Sequence, residues 1–147
     1  MKRKLFFDTS VLVAALVREH PHHAAAAALL NDAFGKRQPG FVSAHGLAEL
    51  YAVLTRAPKP LSIHPSDAWQ MIETGILPHV KVVSPTSEEY RSVVEECGRQ
   101  NWAGGLIYDL LHLRAAAKSD CGRIYTFNVK HFRSIAPASL KEKILMP

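Results

Sequence analysis

The 147-residue sequence has only two cysteines, Cys97 and Cys121, and neither belongs to a C-x-x-C pair. That excludes a disulfide scaffold or a zinc knuckle and fits a reducing, cytoplasmic setting. Long apolar runs are missing too. The longest, Val11 to Val17 and Ala24 to Leu30, fall well short of the roughly 20 residues a membrane span requires, so a soluble protein with no membrane partner is expected. Lys2, Arg3 and Lys4 precede an apolar stretch as in a secretory signal, but Asp8 interrupts it and Arg18-Glu19-His20 follows, so the segment reads as mature structure. No internal repeat is present. With 48% hydrophobic and 21% charged residues, one globular domain over 1–147 with an adequate core is expected, and disorder is excluded as the main state.

The net charge of +5 is modest but unevenly spread: Arg114, Lys118, Arg123, Lys130, Arg133, Lys141 and Lys143 face only Asp120 and Glu142 in their stretch. Such a stripe attracts polyanions, although it also serves solubility. Along the chain, strand signals alternate with helix signals. Lys4-Leu5-Phe6-Phe7 ends at Asp8 and feeds a helix over 9–17, capped by Thr9 or Ser10; a second helix runs over 22–34. Phe41-Val42-Ser43-Ala44 feeds a helix with Leu47, Leu50, Tyr51 and Leu54 on one stripe. The proline-bearing segment 57–65 is a connector to a helix over 66–76, with Trp69, Ile72 and Ile76 on one side. Val80 to Val83 is a third strand, and Thr86-x-x-Glu89 is a capping box opening a helix that buries Tyr90, Val93, Val94 and Cys97, weakened at Gly98. Gly104-Gly105 precedes a helix over 107–118, a turn at 119–122 and a strand over 123–127; Ile144-Leu145 is an edge strand. The alternation predicts an α/β fold, a parallel sheet with helices on both faces, whose ligands bind beyond the carboxyl ends of the strands.

Ten of the thirteen acidic residues have ordinary explanations: first turns of helices, solvated faces or basic neighbours. Asp8, Glu49 and Asp109 do not. Asp8 emerges from a buried strand end, unless it merely caps a helix. Glu49 lies off its helix's apolar stripe, unless it pairs with Arg56. Asp109 is flanked by Leu106, Leu110 and Leu113, where an unpaired carboxylate is costly unless His112 or the backbone satisfies it. Three carboxylates delivered by separate units repel one another unless a cation joins them, and oxygen-only ligation suits Mg²⁺ or Mn²⁺. That chemistry fits metal-assisted hydrolysis of a phosphodiester.

Read together, Phe7-Asp8-Thr9-Ser10-Val11-Leu12, Ala48-Glu49-Leu50-Tyr51 to Arg56, Ile107-Tyr108-Asp109-Leu110-Leu111-His112 and Tyr125-Thr126-Phe127-Asn128-Val129-Lys130-His131-Phe132 resemble the PIN-domain family of metal-dependent ribonucleases. In length the chain is similar to the VapC-type toxins of bacterial toxin–antitoxin pairs. The resemblance implies a three-layer α/β/α sandwich with a central, mostly parallel sheet of four to five strands. It also implies endonucleolytic cleavage of RNA with Mg²⁺ or Mn²⁺, a small inhibitory antitoxin and a homodimer. By position, Asp8, Glu49 and Asp109 would be the catalytic, metal-binding acids, with Asp8 the central ligand and Glu49 or Asp109 orienting the water. Ser10 and Thr126 would support the pocket. Many members carry a fourth acid near Thr126, where this chain has Asn128 and His131; Asn128 would offer a carbonyl oxygen or hold a metal-bound water.

Arg56, Arg114 and Lys130 are the candidates for contact with RNA phosphates. The alanine-rich second helix and the Leu47/Tyr51 region are candidate docking surfaces for the antitoxin. His20-Pro21-His22-His23 reads as a solvated loop, His112 as a packed core histidine, and Trp69 and Trp102 as core or interface residues. Two rivals stand beside the nuclease: a catalytically inactive RNA-binding module of the same fold, and a phosphotransfer enzyme with Asp8 as nucleophile. The second wants another Asp two residues on, where Ser10 stands.

Overall fold

The computed structural model describes residues 2–56, 58 and 62–147, so part of the connector expected over 57–65 lies outside the described residues. Five short strands, β1 (Leu5–Phe7), β2 (Gly40–Ser43), β3 (Val80–Val83), β4 (Arg123–Tyr125) and β5 (Ile144–Leu145), form one sheet in the order β3-β2-β1-β4-β5. Every pairing is parallel, with Phe6 opposite Phe41 on one side and Ile124 on the other. Helices α1 (Thr9–Leu16), α2 (His23–Gly35), α3 (Ala44–Arg56) and α4 (Pro65–Gly75) precede a 3₁₀ turn at Leu77–His79; α5 (Ser87–Gln100), α6 (Leu106–Lys118), α7 (Val129–Ile135) and α8 (Ala138–Lys141) follow it.

The side-chain alternation of a strand assigns each residue to a layer. Leu5, Phe7 and Val42 pack with Leu12, Leu30, Leu50, Leu54 and Ile72 from α1 to α4. Phe6, Phe41 and Ile124 pack with Val93, Leu111, Leu113, Phe132 and Leu140 from α5 to α8. The result is the expected three-layer α/β/α sandwich. Because the chain moves outward from β1 to β3 and then returns to β4 on the other side of β1, the strand order reverses between β1 and β4. Crevices for ligands open at such reversals, beyond the carboxyl ends of the strands.

Several local expectations hold. The Thr86–Glu89 capping box forms in both directions, and Ile144–Leu145 is the edge strand. Others need correction. The backbone of Asp8, not Thr9 or Ser10, occupies the cap position of α1, and its side chain makes no capping bond because its oxygens are used elsewhere. α5 continues through Gly98 to Gln100 and ends where Asn101 adopts a left-handed conformation, φ 59°. On α4 and α5 only the narrow stripes Ala68, Ile72 and Val93, Cys97 point inward, so Trp69, Tyr90 and Val94 are exposed, as is Tyr51 on α3. β4 ends at Tyr125, which leaves Thr126 and Phe127 free to turn toward the end of β1. No described helix is long and apolar enough to cross a membrane.

Candidate functional site

Asp8 ends the central strand, its N–H donating to Tyr125 O at 3.0 Å, and its side chain is buried. Oδ2 accepts from Ser10 Oγ at 2.7 Å and from Thr126 Oγ1 at 2.8 Å. Each hydroxyl is itself aimed by a backbone donor: Phe127 N–H donates to Ser10 Oγ at 3.1 Å and Asn128 N–H to Thr126 Oγ1 at 2.9 Å. With both hydroxyl protons committed to one oxygen, Oδ1 is left facing the cleft and His112 Nε2 at 3.4 Å. Asp8 is held as an oriented acceptor; the helix-cap explanation fails.

Glu49 projects from α3 toward the same place, with Oε1 at 3.7 Å from His112 Nε2 and Oε2 at 3.4 Å from His45 Nε2. It meets these imidazoles rather than Arg56. His45 Nε2 is buried and without a hydrogen bond among the described residues. The His112 imidazole, outweighing burial and helped by the Thr9 hydroxyl, holds the Glu49 carboxyl down to about 2. Asp109, on the first turn of α6, is only partly compensated by the His112 and His131 imidazoles. Burial, and then the negative charge of Asp8, pushes its carboxyl up to about 6.

His112 is the residue that sequence reasoning undervalued. It is buried, and Ser43, at the end of β2, meets its Nδ1 at 2.8 Å while accepting from Gly46 N–H at 2.8 Å. Ser43 is therefore free to give its own proton to Nδ1, which leaves Nε2 as the N–H facing the two acids. Burial lowers the His112 pKa, but Glu49, Asp8 and Asp109 together reverse this and raise it. The fit around the ring is close. A Cβ on Gly46 would stand 3.0 Å from His112 Cε1 and 3.1 Å from Ser43 Oγ, so any larger residue there would press the ring and the hydroxyl aside by a few tenths of an ångström.

One donor atom each from Asp8, Glu49 and His112 lie within 4.8 Å of one another. Around them opens a cleft of about 660 Å³, lined also by Ser10, His20, His22, Tyr108, Asp109, Phe127 and Asn128, and, among the described residues, by no lysine or arginine. Carboxylates gathered with no lysine or arginine among the described residues of the lining fit a divalent cation by charge, and their hard oxygen donors fit Mg²⁺ or Mn²⁺ by chemistry. Asp109 faces this cleft but lies outside the tight group.

The phosphate-contact candidates separate. Lys130 is exposed on the first turn of α7, two residues past Asn128, and Arg56 is exposed at the end of α3. Arg114 does not line the cleft: it bridges α6 to α5, with Nη2 at 2.7 Å from Glu96 Oε2. Lys118 is matched likewise to Glu89 at 2.7 Å. Two members of the basic stripe are thus neutralised locally. His20 and His22, read as a solvated loop, line the acidic cleft instead, and Trp69 is exposed.

A family model for the PIN domain matches residues 5–136, which carry the whole of this site. The chain belongs to the PIN-domain family. Among curated PIN relatives, Ribonuclease VapC27 of Mycobacterium tuberculosis is 35% identical over 118 residues, covering 80% of each chain. Ribonuclease VapC40 of the same species is 31% identical over 112 residues, 71% of this chain and 72% of that one. In fold, the crystal structure of M. tuberculosis VapC20, described as a Sarcin-Ricin loop cleaving toxin, superposes with a TM-score of 0.68 at 19% identity, covering 90% of this chain and 96% of that one. VapBC2 from Rickettsia felis, bound to a DNA fragment from its promoter, gives 0.63 at 17% identity over 98% and 97%. The PIN resemblance read from the motifs and the sandwich architecture are both borne out.

Proposed function

We propose that this chain, folded as a single domain over 1–147, is a metal-dependent endoribonuclease that hydrolyses RNA phosphodiester bonds and is the toxin component of a toxin–antitoxin pair. The observation that carries this reading is the convergence of Asp8, Glu49 and Asp109 on a cleft with no lysine or arginine among its described lining residues, in a PIN chain whose curated relatives are named ribonucleases. Asp8 and Glu49 would hold Mg²⁺ or Mn²⁺, with Asp109 completing the acidic wall. Such an ion, when bound, polarises a phosphate oxygen and lowers the pKa of an attacking water.

The side chains do the rest. Ser10 and Thr126 keep Asp8 in one orientation, and His112 keeps Asp8 and Glu49 in a fixed relation. Asp109 stands where it can orient the water and take its proton. Asn128, exposed at the rim, offers an amide in place of a fourth acid. In the hydrolysis the water oxygen bonds to phosphorus, the bond to the leaving ribose oxygen breaks, and that oxygen collects a proton. A small antitoxin that covers the cleft, a homodimeric assembly and a cytoplasmic location complete the reading. The family resemblance supports the first two, and the reduced cysteines support the third.

The test is cleavage of RNA by purified protein freed of any copurifying partner, with Mg²⁺, with Mn²⁺ and with EDTA, beside Asp8→Asn. The expected result is cleavage that needs metal and falls at least about a thousandfold in the variant, several kcal/mol of transition-state stabilisation being lost with a metal ligand. RNA binding without any metal-dependent product would instead establish the inactive binding module.

A further inference from the structure

The acidic cleft has a counterpart of opposite sign at the other end of the sheet. All strand pairings are parallel, so the amino ends share one side, and at those of β2 and β3 opens a cavity of about 460 Å³. It shares no lining residue with the cleft. Arg37, after α2, and Lys81, on β3, line it, and among the described residues no aspartate or glutamate does. The lysine and arginine ion pairs among the described residues engage Lys36, Arg99, Arg114 and Lys118, and neither Arg37 nor Lys81. Beside these cations the exposed His79 stacks on the half-buried Phe34, centroids 4.4 Å apart and planes 13° from parallel, and Phe7 of β1 backs Phe34 edge-on at 6.1 Å. The cavity thus joins a ring face braced from the core to two cations. Arg37 is also an unusual choice for its place. Gln38 N–H donates to Ala33 O at 2.9 Å and Arg37 N–H to Phe34 O at 3.0 Å, closing α2 with Arg37 left-handed at φ 53°. That position ordinarily favours glycine, and the exposed Arg37 side chain gains no burial that would offset the strain.

We propose that this second cavity binds a nucleotide, with Arg37 and Lys81 on its phosphate, the His79–Phe34 face against its base, and the amide of Gln38, which also lines the cavity, at the base edge. A guanidinium fork and an ammonium from separate elements suit the oxygens of a phosphate, the arginine bidentately. A ring face suits a base whatever its identity, because every base presents a π-face. A simple anion would leave the ring wall unused, and an uncharged ring would leave two cations unmatched. The volume agrees, since small-molecule sites run from about 300 to 1,000 Å³. A free mononucleotide and one nucleotide of an RNA strand share this chemistry. β2 is four residues long, about 13 Å at the usual rise per residue, so either ligand would leave the acids at the carboxyl ends uncovered. The site stands whether or not the cleft cuts RNA.

Isothermal titration of the intact protein with AMP, adenosine and inorganic phosphate tests this, in EDTA so that no metal draws phosphate into the acidic cleft. AMP is expected to bind at least about tenfold tighter than either fragment. Arg37→Gly suits the left-handed turn and removes only the side chain, so the fold is kept while AMP binding should fall about 10- to 150-fold, the range for lost hydrogen bonds to a charged group. His79→Ala should weaken AMP at least about fivefold and leave ribose 5-phosphate within about twofold, because only the base is stacked. Lys36→Ala, whose lysine is already paired with Asp32, should change AMP binding by no more than about twofold. A short fluorescent RNA added to the Asp8→Asn protein separates the two sources. RNA binding that AMP competes away and Arg37→Gly weakens identifies a nucleotide of a strand; AMP binding beside RNA binding that ignores Arg37→Gly identifies a free mononucleotide. Failure of both AMP and RNA to respond to Arg37→Gly, or inorganic phosphate binding as tightly as AMP, overturns the proposal.

Discussion

Two groups of acids in this protein meet opposite surroundings. Glu89 and Glu96 on α5 each meet a cation from α6, Lys118 and Arg114, at 2.7 Å. Asp8, Glu49 and Asp109 meet hydroxyls, imidazoles and one another, and the cleft they share is lined, among the described residues, by no lysine or arginine. The sequence has 18 basic residues against 13 acidic ones, so cations are not scarce; they are placed elsewhere. On the helix seam, charges are matched and partly solvated, which contributes little to stability. At the end of β1, midway along α3 and on the first turn of α6, negative charge is gathered, partly buried and met by imidazoles rather than by lysine or arginine. Position relative to the strand ends, rather than residue type, separates a carboxylate paired with a lysine or arginine from one that is not.

The sharpest way to break that contrast is to remove the basic ring that faces both Asp8 and Glu49. His112→Leu fills the space but takes away the N–H that faces Asp8 and Glu49, leaving two carboxylates without it. Breaking a buried pair in this way is expected to cost about 3 kcal/mol, which in a chain of this size lowers Tm by about 6–12 °C. Thermal unfolding of the metal-free protein checks it, and saturating Mg²⁺ should restore part of the loss. An unchanged Tm would mean that the imidazole does not hold the acids together.

Asp109 gives a smaller effect with a definite sign. Its carboxyl is raised from 3.8 to about 6 in the fold, so the native state holds the proton more tightly than the unfolded chain does. Its contribution to stability is therefore present at low pH and is lost as pH rises from about 4 through about 6. Asp109→Asn should raise the Tm of the metal-free protein by a few degrees at pH 7.5 and leave it unchanged near pH 3.5. Glu49, held down to about 2, runs the other way, losing its contribution as pH falls from 4.5 toward 2. Parallel Tm profiles for wild type and Asp109→Asn across pH 4–7 would show that neither burial nor repulsion from Asp8 perturbs Asp109 in the fold.

What the sequence makes legible here follows the range of the interactions. Asp8 after Leu5-Phe6-Phe7, and the Thr86–Glu89 box, are local patterns and are readable because their causes lie within a few residues. Ser10 and Thr126 came through family resemblance, since nothing local in Thr126 announces a bond to an acid 118 positions away. His112 was misjudged because helical spacing among Leu110, Leu111 and Leu113 marks it as buried, correctly, but does not show what it touches. Its partner Ser43 lies 69 positions away on another element. Arg114 was misread for the same reason: as part of a run of basic residues it resembles a phosphate ligand, while Glu96, which occupies it, sits on a different helix. The ring pair of Phe34 and His79 was invisible because it joins two separate segments.

The seam supplies the smallest expected effect and the cleanest control. Arg114→Ala and Glu96→Ala should each cost about 0.2–1 kcal/mol, with a coupling between them of similar size in a double-mutant cycle. Neither should change RNA cleavage by more than about twofold, because the guanidinium is already engaged on the far side of α6 from the acids. Lys130→Ala, beside Asn128 at the cleft mouth, should weaken RNA binding several-fold and flatten its salt dependence by about one unit of slope, the loss of one phosphate contact. The order of these two variants decides the point. If Arg114→Ala weakened RNA binding more than Lys130→Ala did, the basic stripe would be working as one surface, and the division between matched seam and open cleft would collapse.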